Sequence, residues 1–321
     1  MDSPLSGNPK MNRYIVTGGA GFIGSALVRR LVAEGDGEVL VIDNLLTGYE
    51  KNLEDVASRI DFRRLDIRDY AAMTQAVRSS DVVFHLAAIP SVPRSIHDPA
   101  PSHEVNIDGT FNVLRACAQA KVRRVIYAAS SSAYGDTESL PKVESMLPHP
   151  KSPYAVQKLV GEYYASVFHS CFGLETVALR FFNVYGERQD PSSPYSGVLS
   201  LFMKALLARR SPTIYGDGEQ TRDFTYVEDV ASLCRKAASA EGVAGKTFNA
   251  GNGQRYSLKC VWALLQKIEG VSLPAVYAPA REGDVRDSQA DVTAARRELN
   301  HQPGFTLEQG LRRTLAWYRT Q

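Results

Sequence analysis

A glycine-rich turn stands near the start of the sequence and reads Thr17-Gly18-Gly19-Ala20-Gly21-Phe22-Ile23-Gly24. It follows the apolar residues 14–16 and leads into the amphipathic residues 22–34, so the predicted order is strand, turn, helix. The three spaced glycines carry no Cβ atoms that would block a phosphate, and a helix N-terminus presents free N–H groups to one. The turn therefore predicts a binding site for a dinucleotide pyrophosphate.

An acidic residue ends the second predicted strand. Asp43 follows the apolar residues 39–42, about 20 residues beyond Gly24, where a carboxylate binds the adenosine ribose hydroxyls. Because the carboxylate would repel a 2′-phosphate, the sequence favours NAD over NADP. Two later strands end in further candidate cofactor contacts, which are Asp66-Ile67 and Leu86-Ala87-Ala88.

Strand-like and helix-like stretches alternate as far as about residue 183, which predicts an α/β fold with a doubly wound parallel sheet of the Rossmann type. Beyond that point prolines are frequent and the helical stretches are shorter, which indicates a smaller C-terminal substrate-binding lobe. We therefore predict a flexible tail (1–12), an NAD-binding domain with the catalytic groups (13–183) and a mainly substrate-binding lobe (184–321), some segments of which return to the sheet.

Composition excludes several other classes of protein. The 321 residues include 37 Lys and Arg and 35 Asp and Glu, and a net charge of +2 argues against binding to nucleic acid or to a membrane surface. No apolar run approaches the ~18 residues of a membrane span, and the N-terminus shows no signal-peptide pattern, so we expect a cytoplasmic protein. The four cysteines are widely spaced without a CxxC pair, so no metal site and no disulfide framework is expected.

A tyrosine and a lysine begin a long helical stretch. Tyr154 and Lys158 are four residues apart and share one helix face. A free tyrosine has a pKa of ~10, so a base that works near neutrality needs a shift of about 3 units, which an ammonium, a positive nicotinamide ring and exclusion of water supply. The run Ser130-Ser131-Ser132 follows the fifth predicted strand at the same end of the sheet and offers hydroxyls to a substrate. The predicted catalytic residues are Ser130, Ser131, Tyr154 and Lys158.

With an ordered series of further motifs, these residues resemble the extended short-chain dehydrogenase/reductase superfamily, and most of all its UDP-hexose 4-epimerases. The motifs span nearly the whole chain and comprise residues 106–110 (NIDGT), 180–186 (RFFNVYG), 215–218 (YGDG), 222–224 (RDF), 248–251 (FNAG) and 281–286 (REGDVR). Residues 91–95, 127–135 and 189–191 are most similar to the bacterial branch that accepts N-acetylated UDP-sugars.

The resemblance extends the predicted cofactor and substrate sites. NAD, tightly bound and not consumed, is expected to contact Gly18, Gly21, Phe22, Ile23, Gly24, Asp43, Asn44, Gly48, Asp66, Ile67, Leu86, Ala87, Ala88, Asn106, Tyr154, Lys158 and Phe182. The UDP-sugar is expected to contact Ser91, Arg94, Ser130, Ser132, Tyr154, Asn183, Val198, Leu199, Tyr215, Arg222, Arg281, Asp284 and Ser288, with Arg222 and Arg281 at its pyrophosphate. No metal ion is expected.

One segment departs from the family. The family often reads Ser-Ser-Ala-x-Val-Tyr-Gly, whereas here only Ser132 and Ala133 separate Ser131 from Tyr134. Counting back four residues from Tyr134 selects Ser130 as the serine that faces the sugar, while Ser131 and Ser132 would line the same pocket. Which of the three contacts the sugar 4-hydroxyl stays open.

The resemblance implies a redox-neutral reaction. The Tyr154 phenolate would remove the proton of the sugar 4-hydroxyl while a hydride leaves C4, and the 4-keto sugar would rotate and take the hydride back on its other face. Ser288 aligns with a position where a bulky tyrosine in some relatives excludes a 2-acetamido group. We therefore expect interconversion of UDP-GlcNAc and UDP-GalNAc, and of UDP-Glc and UDP-Gal, with the preference between the two pairs open.

Three other functions share parts of this pattern. A sugar-nucleotide 4,6-dehydratase needs a carboxylate pair beside its active-site hydroxyl, but the serine run has none, and Asp136 and Glu138 follow only after Gly135. A UDP-glucuronate decarboxylase or 4-epimerase is the second alternative. A non-catalytic NAD-binding module is the third, and it would not be expected to keep both Tyr154 and Lys158. The resemblance also implies a homodimer joined by a four-helix bundle of residues 100–120 and 152–171 from each copy.

Overall fold

The computed structural model describes residues 12–190, 197–280 and 285–321. The predicted tail lies outside these residues up to Met11, as do Arg281 and Asp284. In the described residues the strands are β1 (Asn12–Thr17), β2 (Gly37–Asp43), β3 (Asp61–Arg64), β4 (Val82–His85), β5 (Arg124–Ser130), β6 (Glu175–Phe181), β7 (Val184–Tyr185), β8 (Thr213–Tyr215), β9 (Thr221–Arg222), β10 (Thr225–Tyr226), β11 (Lys246–Ala250), β12 (Tyr256–Ser257) and β13 (Val276–Ala278).

Helices connect most of these strands. The α-helices are α1 (Phe22–Glu34), α2 (Tyr70–Ala76), α3 (Val92–His97), α4 (Ala100–His103), α5 (Thr110–Gln119), α6 (Pro153–Phe172), α7 (Val198–Leu207), α8 (Val227–Ser239), α9 (Leu258–Glu269), α10 (Thr293–Leu299) and α11 (Leu307–Tyr318). Two 3₁₀ helices cover Glu50–Arg59 and Ser131–Tyr134, and a π-helical segment, Glu104–Gly109, joins α4 to α5.

Seven strands form one parallel sheet in the order β3-β2-β1-β4-β5-β6-β11. The chain winds outward from β1 to one edge and then returns to β4 and winds to the other edge. This order confirms the predicted doubly wound sheet. It also places a crevice at the carboxyl ends of β1 and β4, where the winding direction changes and where ligands bind in such folds.

Both faces of the sheet are buried, because alternate residues of each strand point to opposite sides. Val16, Val41 and Phe84 belong to a core shared with α1 and α8. Their neighbours Ile15 and Leu40 belong to a second core, shared with α2, α5 and α6. Helices on both faces thus hold the strand ends rigidly in place.

The C-terminal part of the chain contributes to the sheet and also forms a smaller lobe. β11 pairs with β6 at the sheet edge, as expected for a segment that returns to the sheet, while short strand pairs and α7, α9 and α11 form the lobe. Phe202 and Trp262 pack edge to face between α7 and α9, with ring centroids 5.5 Å apart. The boundary after residue 183 stays a prediction.

Among the described residues, no helix is both long enough and apolar enough to cross a bilayer.

Candidate functional site

A cleft of about 780 Å³ opens at the carboxyl ends of the central strands and extends to the C-terminal lobe. Many of the predicted site residues line it together. These are Gly18, Gly21, Phe22, Ile23, Gly24, Asp43, Asn44, Ile67, Leu86, Ala87, Ala88, Ser91, Arg94, Ser130, Ser131, Ser132, Tyr154, Lys158, Phe182, Asn183, Arg222 and Ser288.

The glycine turn packs so closely that side chains would not fit. Gly18 has a φ of +71°, and a Cβ atom there would lie 2.6 Å from the Ala87 main-chain nitrogen. A Cβ atom on Gly24 would lie 2.1 Å from the Gly18 carbonyl oxygen. Gly21 is the N-cap of α1 and has no side chain to occupy the first-turn N–H groups. The turn therefore presents main-chain donors and the positive end of a helix dipole to the cleft.

Asp43 lies beside this turn at the end of β2. Its carboxylate is 8% exposed and accepts from the main-chain N–H groups of Ala20 (3.0 Å) and Leu45 (2.8 Å). Burial raises the pKa of Asp43, and these two hydrogen bonds oppose the shift. Gly48 packs against this carboxylate, since a Cβ atom there would lie 2.9 Å from the Asp43 Oδ2. One rigidly held carboxylate thus faces the cleft next to the phosphate-binding turn.

Gly48, Asp66 and Asn106 do not line the cleft but hold residues that do. Asp66 accepts a 2.9 Å hydrogen bond from the Asn44 side chain, and hydrogen bonds from Arg68 lower the pKa of Asp66 to about 2. Asn106 lies in the π-helical segment and is buried. Its side chain bonds both main-chain polar groups of Ile89 and the Gln157 side chain, at 2.9–3.0 Å. Contact between the cofactor and these three residues stays a prediction.

The tyrosine and the lysine project from the first turns of α6. Ser152 caps this helix by accepting from the Ala155 N–H, and the Tyr154 N–H donates to the Ser95 Oγ at 3.0 Å. Lys158 is 4% exposed, and burial lowers its pKa to about 7. Burial raises the pKa of Tyr154, while a side-chain hydrogen bond with Ser130 lowers it. A phenol, a serine hydroxyl bonded to it and a buried amine therefore line the same cleft.

The three serines have different surroundings. Ser130 is the last residue of β5 and keeps extended backbone angles, with a φ of −143°. Its Oγ lies 2.8 Å from the Ser132 Oγ and accepts from the Ser132 N–H at 3.2 Å. Ser131 and Ser132 begin the following 3₁₀ turn and also line the cleft. The hydrogen bond to Tyr154 thus belongs to Ser130, while the contact with a sugar stays a prediction for all three.

The C-terminal lobe forms the other side of the cleft. Arg222, on β9, donates its Nη1 to the carbonyl oxygens of Thr221 and Arg286, both at 2.9 Å. The Ser288 N–H donates to the Thr221 carbonyl at 3.1 Å and so fixes that serine beside β9. The guanidinium and the small hydroxyl side chain both line the cleft.

Some predicted substrate contacts lie elsewhere. Leu199 is 2% exposed and packs in the core, Val198 packs against the same core, and Tyr215 ends β8 outside the lining. Arg281 and Asp284 lie outside the described residues. Substrate contact by these five residues stays a prediction.

The cleft also contains residues that were not among the predicted site residues. Lys142 is 2% exposed, its Nζ donates to the Thr137 carbonyl and hydroxyl oxygens, and burial lowers its pKa. Tyr49 and Asp190 also line the cleft and share a 2.9 Å hydrogen bond. Lys142 and Tyr49 lie in irregular segments that no periodicity or motif marked, whereas Asp190 belongs to residues 189–191, which indicated only a resemblance to the bacterial branch.

Comparison with known proteins identifies the family. Residues 14–251 match the family described as "NAD dependent epimerase/dehydratase family". The chain belongs to this family. The match begins in β1 and ends just after β11, so it includes the whole parallel sheet and every candidate catalytic group.

Individual relatives cover nearly the full length. A UDP-glucose 4-epimerase of Mycolicibacterium smegmatis is 38% identical over 314 residues, which is 96% of this chain and 99% of the relative. The UDP-N-acetylglucosamine 4-epimerase of Methanobrevibacter ruminantium, solved with UDP-N-acetylmuramic acid, has a TM-score of 0.92 at 36% identity, with 97% and 99% of the two chains covered. The UDP-glucose 4-epimerase of Thermotoga maritima, solved with UDP-glucose, has a TM-score of 0.91 at 36% identity and covers 96% and 99%.

As a member of this family, the protein is an enzyme with NAD as its cofactor. The residues present fit that cofactor. The glycine turn has room for a phosphate because Gly18 and Gly24 carry no Cβ atoms, and the Asp43 carboxylate lies beside this turn. In the part of the chain that the structure describes, no group of three or more His, Cys, Asp or Glu side chains is arranged to hold a metal ion.

Proposed function

We propose that this enzyme is a 4-epimerase of UDP-hexoses that interconverts UDP-GlcNAc and UDP-GalNAc and also accepts UDP-Glc and UDP-Gal. The observation that carries the proposal is that Ser130, Tyr154 and Lys158 line the same cleft as the glycine turn, with Tyr154 bonded to Ser130. Asp136 and Glu138, the acids nearest to the serine run in sequence, are exposed and do not line the cleft. This placement supports epimerisation over a 4,6-dehydration, which needs carboxylates beside the reacting sugar.

In the proposed mechanism Tyr154 holds and moves one proton. Its phenolate oxygen takes the proton of the sugar 4-hydroxyl, and the Ser130 hydroxyl, already bonded to the phenol, orients both groups. Burial raises the pKa of Tyr154, and in the proposed mechanism a protonated Lys158, four residues along the same helix face, would oppose that shift. When bound, NAD supplies a reversible hydride acceptor for C4 of the sugar, so the net redox change is zero. The cleft would hold the sugar while it turns its other face to the cofactor.

The nucleotide part of the substrate would be held by the C-terminal lobe. Arg222 faces the cleft with a planar guanidinium that matches the oxygens of a diphosphate. Arg281 is proposed as its partner from the family motif. A substrate anchored by its diphosphate keeps the sugar in the cleft while the 4-keto intermediate rotates.

We infer the acceptance of acetylated sugars from Ser288. This residue lines the cleft, is fixed by its hydrogen bond to Thr221, and carries one of the smallest polar side chains. A small side chain here leaves space for a 2-acetamido group, and the family contains both acetylated and plain substrates. Ser288 does not cap a helix, because none of the helices in the described residues begins there.

We also propose a homodimer. Val156, Tyr163 and Val167 of α6 are 45–54% exposed, and their spacing of seven and four residues places them on one face of the helix. A second copy of the chain would cover this apolar stripe by pairing α6 and the helix of residues 100–119 with their counterparts in a four-helix bundle.

The role of Tyr154 is tested by Tyr154→Phe. Loss of the proton-carrying hydroxyl should lower kcat by at least about a thousandfold, within the range of general acid–base catalysis, while bound NAD and the fold are retained. Turnover is measured with UDP-GlcNAc, and NAD is measured after its release by acid. Tyr277→Phe, which removes a hydroxyl from an exposed tyrosine on β13, is the matched control and should retain full activity. Wild-type turnover of Tyr154→Phe would remove this residue from the proposed role.

A further inference from the structure

Tyr127 touches the proposed catalytic lysine at two points. It belongs to β5, is fully buried, and its ring centroid lies 4.5 Å from the Lys158 Nζ. Its hydroxyl donates a 3.1 Å hydrogen bond to the main-chain carbonyl of Lys158. One side chain therefore contacts both the ammonium group and the helix turn that carries it.

A glycine on α6 makes room for this contact. A Cβ atom at Gly161 would lie 2.2 Å from the Tyr127 Oη and 2.5 Å from its Cζ. Any side chain at position 161 would therefore push the ring away from Lys158 or lift α6 from the sheet. The local sequence thus permits a close tyrosine–helix contact directly behind the reacting groups.

The buried surroundings of Lys158 strengthen the attraction between its ammonium group and the Tyr127 ring. Burial favours the uncharged amine, whereas the face of an aromatic ring attracts a cation most strongly when water is excluded. His85 is buried, its burial lowers its pKa to about 3, and it is therefore neutral near pH 7. Glu162, one turn beyond Lys158, is paired with Arg180 at 2.6 Å. Of the titratable groups on the surrounding elements, His85 on β4 and Tyr127 on β5 interact with Lys158 directly, and Tyr154 and Glu162 lie one turn away on α6. Arg180 on β6 pairs with Glu162, and Arg94 on α3 lines the same cleft.

We propose that Tyr127 is a positioning residue that fixes the Lys158 side chain and favours its protonated form. Its consequence for catalysis rests on the proposed function, in which the ammonium lowers the pKa of Tyr154. Without the aromatic ring, Lys158 would lose its proton at a lower pH. Activity that depends on the ammonium would then decline at a lower pH as well.

The test is a direct titration of Lys158 in the NAD-containing enzyme. Lysine labelled with ¹³C at Cε is followed by NMR, and the Lys158 signal is assigned by its loss in Lys158→Met. Tyr127→Leu removes the ring face and should lower the pKa of Lys158 by about one unit. Tyr127→Phe keeps the ring and removes only the hydroxyl, so the pKa should stay within a fraction of a unit of wild type.

Two further variants distinguish the attraction between the ring and the ammonium group from a purely structural effect. Trifluorophenylalanine at position 127 keeps the shape of a ring but weakens its attraction for cations, and it should shift the pKa as Tyr127→Leu does. Tyr70→Leu removes a ring on α2 that lies 4.1 Å from the guanidinium of Arg115 on α5, and it should leave the Lys158 titration unchanged. The upper pH limit of UDP-GlcNAc turnover should fall together with the Lys158 pKa in Tyr127→Leu and in the trifluorophenylalanine protein, and it should stay unchanged in Tyr127→Phe and Tyr70→Leu.

Equal Lys158 pKa values in the leucine, phenylalanine and trifluorophenylalanine proteins would overturn the proposal. The titration needs no turnover, so failure of the epimerase assay in wild type would contradict the proposed function and leave the test of Tyr127 intact. A shifted titration with an unshifted pH profile would contradict the catalytic consequence of the Lys158 charge.

Discussion

Ser130 shows how a single residue acquires its place in the site. Three consecutive serines are chemically identical in sequence, and only the backbone distinguishes them. Ser130 ends β5 with extended angles, whereas Ser131 begins a 3₁₀ turn, so the two hydroxyls point differently although both line the cleft. The spacing of Tyr154 and Lys158 could be interpreted directly because a helix places residues four apart on one face. No comparable rule selects one serine from a turn.

In the proposal, the preference between acetylated and plain UDP-sugars also depends on a single residue, Ser288. Ser288→Tyr places a bulky ring where the proposal leaves space for an acetamido group, so UDP-GlcNAc turnover should fall about tenfold or more relative to UDP-Glc turnover. Ser288→Ala keeps the space and is the matched control, with an unchanged ratio. The two kcat/KM values are measured for each protein. If the ratio in Ser288→Tyr equals that of wild type, Ser288 does not set the selectivity.

At the scale of elements, strands and helices with a strong hydrophobic pattern could be predicted, and those with a weak pattern could not. The alternation of apolar strands and amphipathic helices predicted the parallel sheet, and the stretch after Pro153 predicted α6. The sheet edge was harder, because β11 reads Lys-Thr-Phe-Asn-Ala and lacks the continuous apolar run of a central parallel strand. The π-helical segment that holds Asn106 was not predicted, and the Asn106 side chain is held there by tertiary hydrogen bonds to Ile89 and Gln157 that no local pattern reveals.

A buried ion pair ties the catalytic helix to the sheet. Arg180 of β6 and Glu162 of α6 form a two-point contact at 2.6 and 2.9 Å, and both side chains are less than a tenth exposed. Arg180→Met leaves a buried carboxylate without its partner and should lower the free energy of unfolding by about 3–5 kcal/mol. Urea denaturation followed by circular dichroism measures this loss.

Two variants control this prediction. Arg180→Met combined with Glu162→Met removes both charges and should recover part of the lost stability, because no unpaired charge remains. Arg312→Met removes a partner from the exposed pair with Glu308 on α11 and should leave the denaturation midpoint unchanged. Equal midpoints for Arg180→Met and wild type would show that the buried pair does not stabilise the fold.

At the scale of the whole molecule, the cleft depends on two parts of the chain that are distant in sequence. The sheet supplies the glycine turn and Ser130, α6 supplies Tyr154 and Lys158, and the C-terminal lobe supplies Arg222 and Ser288. Tyr49 and Asp190 join the two sides by a hydrogen bond between residues 141 positions apart. The sequence predicted both parts, but such a contact depends on how they are packed together and no local pattern reveals it.

Association of two copies is a further property of the whole molecule. Val167→Glu places a charge in the exposed apolar stripe of α6, and burying that charge in a dimer interface would be unfavourable. We expect a dimer for wild type and a monomer for the variant by light scattering at micromolar concentration. Val276→Glu, at an equally exposed valine on β13, should remain dimeric. A wild-type protein with the mass of one subunit would contradict the proposed dimer.

The most direct test of the proposed function is to incubate the purified enzyme, without added NAD, with UDP-GlcNAc in one tube and UDP-Glc in another, and to follow the anomeric protons by NMR. We predict that the galacto epimer appears in both tubes, because the cofactor is retained and regenerated in each turnover. A 4-keto-6-deoxy signal would instead identify a dehydratase. No change in either tube, even after NAD is added, would contradict the proposed epimerase and favour another sugar nucleotide or a non-catalytic protein.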